Sequence, residues 1–207
     1  MTIANYTVKP LFAEPYFMAD ISHAITDEQV AFLKNLPMVK NQVNYISEDL
    51  YIFKLPELKS IADAVQEALD IYAREVMGIT QKLYVTQSWA LMNPPGVGMH
   101  GHTHSNSLIS GSLYYTDLPQ PVARMIFDRF NGYRQIEIFP EKARANIYNS
   151  TKNIVVPKKG HVFLFPSHLQ HLVEPNLSSE PRYSVAFNTF VKGKIGSFTD
   201  VSELILA

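Results

Sequence analysis

A chain of 207 residues with a hydrophobic share of 46%, an aromatic share of 12% and a net charge of −1 has the means to bury a sizeable core. These values exclude a disordered polymer, and without runs of like charge they give no strong nucleic-acid signal. Cysteine is absent, which rules out disulfides and thiolate-bound zinc, and no window reaches the roughly 18 apolar residues of a membrane-spanning helix.

Met1-Thr2-Ile3-Ala4-Asn5-Tyr6 shows no basic stretch followed by an apolar one, so the expected location is the cytoplasm. Thr7 to Phe12 and Glu14 to Phe17 read as a broken edge strand, interrupted by Pro10 and Pro15. Thr26-Asp27-Glu28-Gln29 has the form of a capping box, followed at helical spacing by Val30, Leu33 and Leu36 and stopped by Pro37. Residues 56 to 77 give the clearest helix. Pro56 suits its first turn, Leu58, Ile61, Val65, Leu69, Tyr72 and Val76 recur every three or four residues, and Gly78 ends it. That apolar stripe is expected on the outside of a sheet.

From Leu83 onward short apolar or alternating runs appear at 83 to 92, 108 to 116, 124 to 128, 153 to 156, 161 to 165 and 182 to 191. Asn93-Pro94-Pro95-Gly96, Pro119-Gln120-Pro121, Asn131-Gly132, Pro157-Lys158-Lys159-Gly160 and Pro166-Ser167 separate them, a pattern of many short strands that indicates a sandwich or barrel. The weakly patterned stretch from Asn131 to Ile154 reads either as a lid or as a plain surface excursion.

Six of the seven histidines fall into two clusters, His100-Gly101-His102-Thr103-His104 and His161 with His168 and His171. Neutral imidazole is a common metal ligand, and residues two apart on an extended chain point the same way. Three protein ligands with open positions describe a catalytic metal centre better than a closed structural one. Periodicity alone does not choose among His100, His102 and His104. Downstream, Arg182 and Ser184 share a strand face, and a hairpin would bring them back beside the second cluster to offer a guanidinium fork and a hydroxyl to one carboxylate.

The segment from about Trp89 to Asn188 resembles the iron- and 2-oxoglutarate-dependent oxygenases of the prolyl-hydroxylase-like group. The matching pieces are His102-Thr103-His104, Ser110-Gly111-Ser112-Leu113-Tyr114-Tyr115, residues 157 to 167, His171-Leu172-Val173-Glu174-Pro175 and Arg182 to Asn188. The resemblance implies a mainly β fold with flanking helices (α+β) around a double-stranded β-helix, or jelly-roll, core. Residues 1–207 would form one domain, with a strand/helix segment at 1–80 packed on a barrel at 81–192. It implies Fe(II) held by His102, His104 and His171, and 2-oxoglutarate held by Arg182, Ser184 and Tyr115 or Tyr114. The alternation Ile109, Gly111, Leu113, Tyr115 favours Tyr115. The wider superfamily has Asp or Glu where this chain has His104. Three neutral imidazoles leave an iron(II) site at +2 instead of +1 and also suit zinc, nickel or copper.

The implied activity is hydroxylation of an unidentified substrate with O2, releasing succinate and CO2. Two alternatives stand beside it: a cupin-type three-histidine metalloenzyme that does not use 2-oxoglutarate, and a non-catalytic ligand-binding barrel. Gly96 followed by His102-Thr103-His104 fits the start of a cupin signature, but Leu108 and Ile109 stand where its glutamate belongs. Gln87 and Trp89 share a strand face and read as pocket lining or, for Trp89, a core anchor. His100 and His168 are spare histidines, His23 looks uninvolved, and Leu204-Ile205-Leu206 could pack on a second copy in a homodimer.

Overall fold

The computed structural model describes residues 5–129 and 140–206. The first strand, β1 (Phe17–Asp20), leads to α1 (Asp27–Lys34), whose capping box forms in full. Gln29 N–H donates to Thr26 Oγ1 at 3.3 Å and Thr26 N–H to Gln29 Oε1 at 3.0 Å. A hairpin of β2 (Met38–Asn41) and β3 (Asn44–Ser47) precedes α2 (Lys59–Tyr72). One π turn carries α2 on through Met77 to Gly78, which adopts φ 64, the left-handed value at which glycine meets no side-chain penalty. The remaining strands are β4 (Lys82–Asn93), β5 (Met99–His102), β6 (Ile109–Leu113), β7 (Met125–Asp128), β8 (Lys152–Val155), β9 (His161–Pro166), β10 (Gln170–Val173), β11 (Arg182–Ile195) and β12 (Leu204–Leu206).

Two antiparallel sheets result. The larger runs β1-β9-β6-β11-β4-β3-β2, with β12 beside the end of β11, and the smaller runs β5-β10-β7-β8. The chain passes repeatedly from one sheet to the other, β4 to β5 to β6 to β7, and again β8 to β9 to β10 to β11. That winding is a double-stranded β-helix.

The pleat sorts side chains into two cores. On β9, Val162 and Leu164 face α2, whereas Phe163 and Phe165 lie between the sheets with Tyr114, Met125, Phe127 and Val155. Ile61, Val65 and Leu69 of α2 are wholly buried against the large sheet with Leu83, Ile109, Leu113, Val185 and Phe187. Each such side chain contributes about 1.5–3 kcal/mol by leaving water. The helix therefore braces the sheet from behind and leaves its other face free to form a cavity. Gly111 is required here because a Cβ would overlap the Phe187 ring.

Several expectations need correction. No strand forms over residues 5–16; pairing with β9 begins at Phe17, past both prolines, which have no N–H to offer a ladder. The β2–β3 hairpin had no counterpart in the sequence reading. Leu204–Leu206 pairs with β11 of its own chain, although Ile205 stays 80% exposed. Of the weakly patterned stretch, residues 131–139, with the Asn131-Gly132 turn, lie outside the described residues. The rest holds a 3-10 turn at Lys142–Arg144 and β8. No helix among the described residues is long and apolar enough to cross a membrane.

Candidate functional site

The two sheets enclose a cavity of about 310 Å³. Alternate residues of β11 (Arg182, Ser184, Ala186) and β4 (Trp89, Leu91, Asn93) line one wall, as their in-register pairing requires. Ser112 and Tyr114 continue that wall. Met99, His102, Met125, His171 and Val173 form the opposite one.

Three histidines meet at this cavity. His102 and His171 are cross-strand partners on β5 and β10, with ring centroids 4.4 Å apart. His104 is not on the strand, as a shared β face would have it. It follows the end of β5, held by its N–H to Ser167 O at 3.0 Å, and its ring stacks at 4° to that of His171. One nitrogen from each of the three lies within 4.8 Å of the others, close enough to hold a metal ion together. His104 Nε2 and His171 Nε2 are 3.3 Å apart.

Burial, with smaller repulsion from His102, pushes the His104 pKa down to about 4. Burial pushes His171 down to about 3. Both rings are thus neutral near pH 7, the form that can bind a metal. His102 Nδ1 lies 2.8 Å from His100 O, and His171 Nδ1 lies 3.0 Å from Leu169 O. A carbonyl only accepts, so each Nδ1 carries the proton and each Nε2 faces out with a free lone pair. Three imidazoles of this kind fit iron(II), though no carboxylate joins them among the described residues.

Arg182 supplies the other chemical feature. It is 4% exposed, and its Nη2 donates to Tyr114 Oη at 2.9 Å. Its Nε has no hydrogen-bond partner, and among the described residues no carboxylate lies within ion-pair distance. A buried guanidinium without a counter-charge carries a desolvation penalty of several kcal/mol, which an anion in the cavity would offset. Ser184, 2% exposed, lies beside it on the same wall. The hairpin expected to carry Arg182 back to the second cluster does not form. β11 belongs to the large sheet and β10 to the small one, and Arg182 reaches the histidines' cavity because the sheets face each other.

Tyr115 is a correction. It is buried in the core behind the large sheet, near Tyr183, and Tyr114 alone faces the cavity. The run Ile109, Gly111, Leu113, Tyr115 is the face that packs on α2. On the opposite face of the strand Ser112 and Tyr114 line the cavity, with Ser110 buried beyond them.

Trp89 lines the cavity instead of anchoring a core, with its ring 6.4 Å from that of His104. Of the spare histidines, His100 stands at the cavity rim, and His168 is exposed with Nε2 3.5 Å from Glu14 Oε2. His161 packs its ring edge on Phe163 and does not line the cavity. Asn41 and Gln42, at the tip of the β2–β3 hairpin, line the cavity and were missed from the sequence.

Residues 87–188 match the model of a protein family described as "Putative 2OG-Fe(II) oxygenase". No curated protein matches the chain. Among solved structures, HygX from Streptomyces hygroscopicus, crystallised with nickel, 2-oxoglutarate and hygromycin B, is similar with TM-score 0.59 and 14% identity over 85% of this chain and 82% of that one. A Pseudomonas putida prolyl-4-hydroxylase aligns with TM-score 0.58 and 13% identity over 87% and 94% of the two chains. The 2-oxoglutarate-dependent epimerase SnoN from nogalamycin biosynthesis gives TM-score 0.59 and 14% identity over 86% and 76%. At these identities the solved structures speak to the fold, which they share.

Proposed function

We propose that this chain, whose residues 87–188 match the 2OG-Fe(II) oxygenase family, is such an oxygenase, with His102, His104 and His171 holding its iron and Arg182 anchoring the distal carboxylate of 2-oxoglutarate. The observation that carries this reading is the buried Arg182 guanidinium, with no carboxylate at ion-pair distance among the described residues, facing a cavity that three imidazoles also face. Iron bound there supplies the redox chemistry that couples 2-oxoglutarate and O2 to oxidation of a substrate C–H bond. The balance is 2-oxoglutarate, O2 and R–H giving succinate, CO2 and R–OH.

The protein's own groups bind, orient and exclude water. His102 and His171 are locked by backbone carbonyls, so neither ring must reorganise to present Nε2. Arg182, with Tyr114 against one nitrogen, offers its remaining N–H groups to a carboxylate, and Ser184 adds a hydroxyl. The apolar Leu91, Met125, Phe165 and Val173 keep the space between anchor and imidazoles dry, which strengthens every charged contact made inside it. Trp89, Asn41 and Gln42 remain for the primary substrate.

Conversion of 2-oxoglutarate to succinate in the presence of iron(II) and O2, lost in Arg182→Ala, tests this reading. Turnover that ignores 2-oxoglutarate would instead support a three-histidine dioxygenase of the cupin type. Metal binding with no turnover under any condition would favour the non-catalytic barrel.

A further inference from the structure

The tip of the β2–β3 hairpin keeps a glutamine where glycine would fit with less strain. Gln42 holds φ 48, in the left-handed region that residues with a Cβ seldom occupy, and it lines the cavity beside Asn41. Strain of this kind is concentrated at binding sites. Strand register extends these two carboxamides into a row across β2, β3, β4 and β11. Asn41 pairs with Asn44, Asn44 follows the Tyr45–Met92 pair towards Asn93, and Asn93 pairs with Arg182. Cross-strand partners share one face of a sheet, so three asparagines stand in line with the arginine. Asn93 is fixed by donation from Nδ2 to Gly98 O at 3.3 Å. Asn44 is wholly buried with neither carboxamide atom hydrogen-bonded, so the row still lacks a polar partner.

The same wall turns apolar towards the imidazoles. Trp89, beside His104, lies four residues before Asn93 on β4, about 13 Å away at roughly 3.3 Å per residue. Leu91 stands between them, and Met99, Met125 and Val173 belong to the opposite wall. Among the described residues the lining holds no Asp, Glu or Lys, and Arg182 is its only guanidinium. An ammonium group entering this cavity finds no carboxylate, and a carboxylate competes with 2-oxoglutarate for Arg182. A carboxamide offers donors and an acceptor without charge, and an amide on the ligand matches it at both.

We propose that Asn41 and Gln42 are specificity-determining residues that hold the amide end of an uncharged substrate, whose apolar stem runs past Leu91 and brings a C–H bond to the imidazoles beside Trp89. The inference deepens the oxygenase reading given above and rests on it. It divides the cavity by chemistry: the β11 side, with Arg182 and Ser184, takes the anionic co-substrate, and the hairpin side takes a neutral one.

Trp89 is the single tryptophan of the chain, so its fluorescence reports probes entering the full-length protein loaded with Zn(II) and 2-oxoglutarate. Octanamide, a neutral amide on an apolar stem of about the required length, is expected to bind at least about 10-fold more tightly than octanoate or octylammonium. Gln42→Gly removes a carboxamide at a φ that glycine adopts freely. It is expected to weaken octanamide about 3- to 10-fold while the thermal midpoint stays level or rises, a combination that a merely structural role would not give. Asn41→Asp, which places a carboxylate at the site, is expected to shift preference from octanamide towards octylammonium by about 10-fold or more. Absence of octanamide binding, a charged probe bound as tightly by the unaltered protein, or an unchanged octanamide affinity in Gln42→Gly would each overturn the assignment. Selective octanamide binding by a protein that forms no succinate from 2-oxoglutarate with iron(II) and O2 would keep the amide subsite and overturn the oxygenase reading, a different failure.

Discussion

Arg182→Met removes a charge while keeping most of the side chain's length, and it is expected to move stability and binding in opposite directions. Arg182 is 4% exposed with Nε unpartnered. Its removal relieves a burial penalty of several kcal/mol. The orphaned Tyr114 hydroxyl gives back about 1–3 kcal/mol. The thermal midpoint of the ligand-free variant is therefore expected to stay level or rise. Binding follows the other sign, because truncating one partner of a buried charge pair costs about 2–5 kcal/mol. At about 1.36 kcal/mol per tenfold, 2-oxoglutarate affinity is expected to fall between about 30-fold and about 5,000-fold. Anaerobic calorimetry on the iron(II)-loaded proteins, beside thermal melts of the ligand-free ones, reads both quantities. A lowered midpoint with unchanged 2-oxoglutarate affinity would make Arg182 a structural residue and refute the argument.

Tyr114→Phe is expected to weaken 2-oxoglutarate binding about 10-fold or more by freeing an Arg182 nitrogen from its hydroxyl, whereas Tyr115→Phe, whose hydroxyl has no hydrogen-bond partner, leaves it unchanged; the same calorimetry separates them. Gly111→Ala is expected to destabilise the fold by about 1–3 kcal/mol in denaturant titration, because the new methyl group meets the Phe187 ring. The metal-free protein is expected to lose stability on acidification. His104 at about 4 and His171 at about 3 lie below their unfolded value of 6.5, so their contribution is complete above pH 6.5 and is lost as pH falls towards 4, where the unfolded chain binds more protons. Two such groups give at most about 2.7 kcal/mol per pH unit, and replacing His171 with Asn is expected to flatten that slope in urea titrations at stepped pH.

What could be read from the chain, and what could not, follows from where the periodic signals are. Helix α2 was legible because its apolar spacing, its proline start and its glycine stop agree. The three histidines that meet at the cavity were legible as candidates by type, since histidines two apart and far apart in sequence carry a chemical signal independent of geometry. Their placement was not: His104 lies beyond its strand, and Arg182 arrives on the facing sheet instead of through a hairpin. The Tyr115 assignment failed because an apolar alternation marks a buried face without saying which of two cores buries it. The β2–β3 hairpin escaped because its turn lacks the Asn-Gly or Asp-Gly signal and places Gln42 at φ 48, a conformation that glutamine seldom takes.

Crystals grown anaerobically with iron(II) and 2-oxoglutarate, measured across the iron absorption edge, offer the decisive view. The expected map has one anomalous peak about 2.1 Å from an Nε2 of each of His102, His104 and His171, with a carboxylate on the Arg182 guanidinium. Iron bound elsewhere, or a guanidinium still without an anion beside an occupied metal site, would contradict the proposed chemistry.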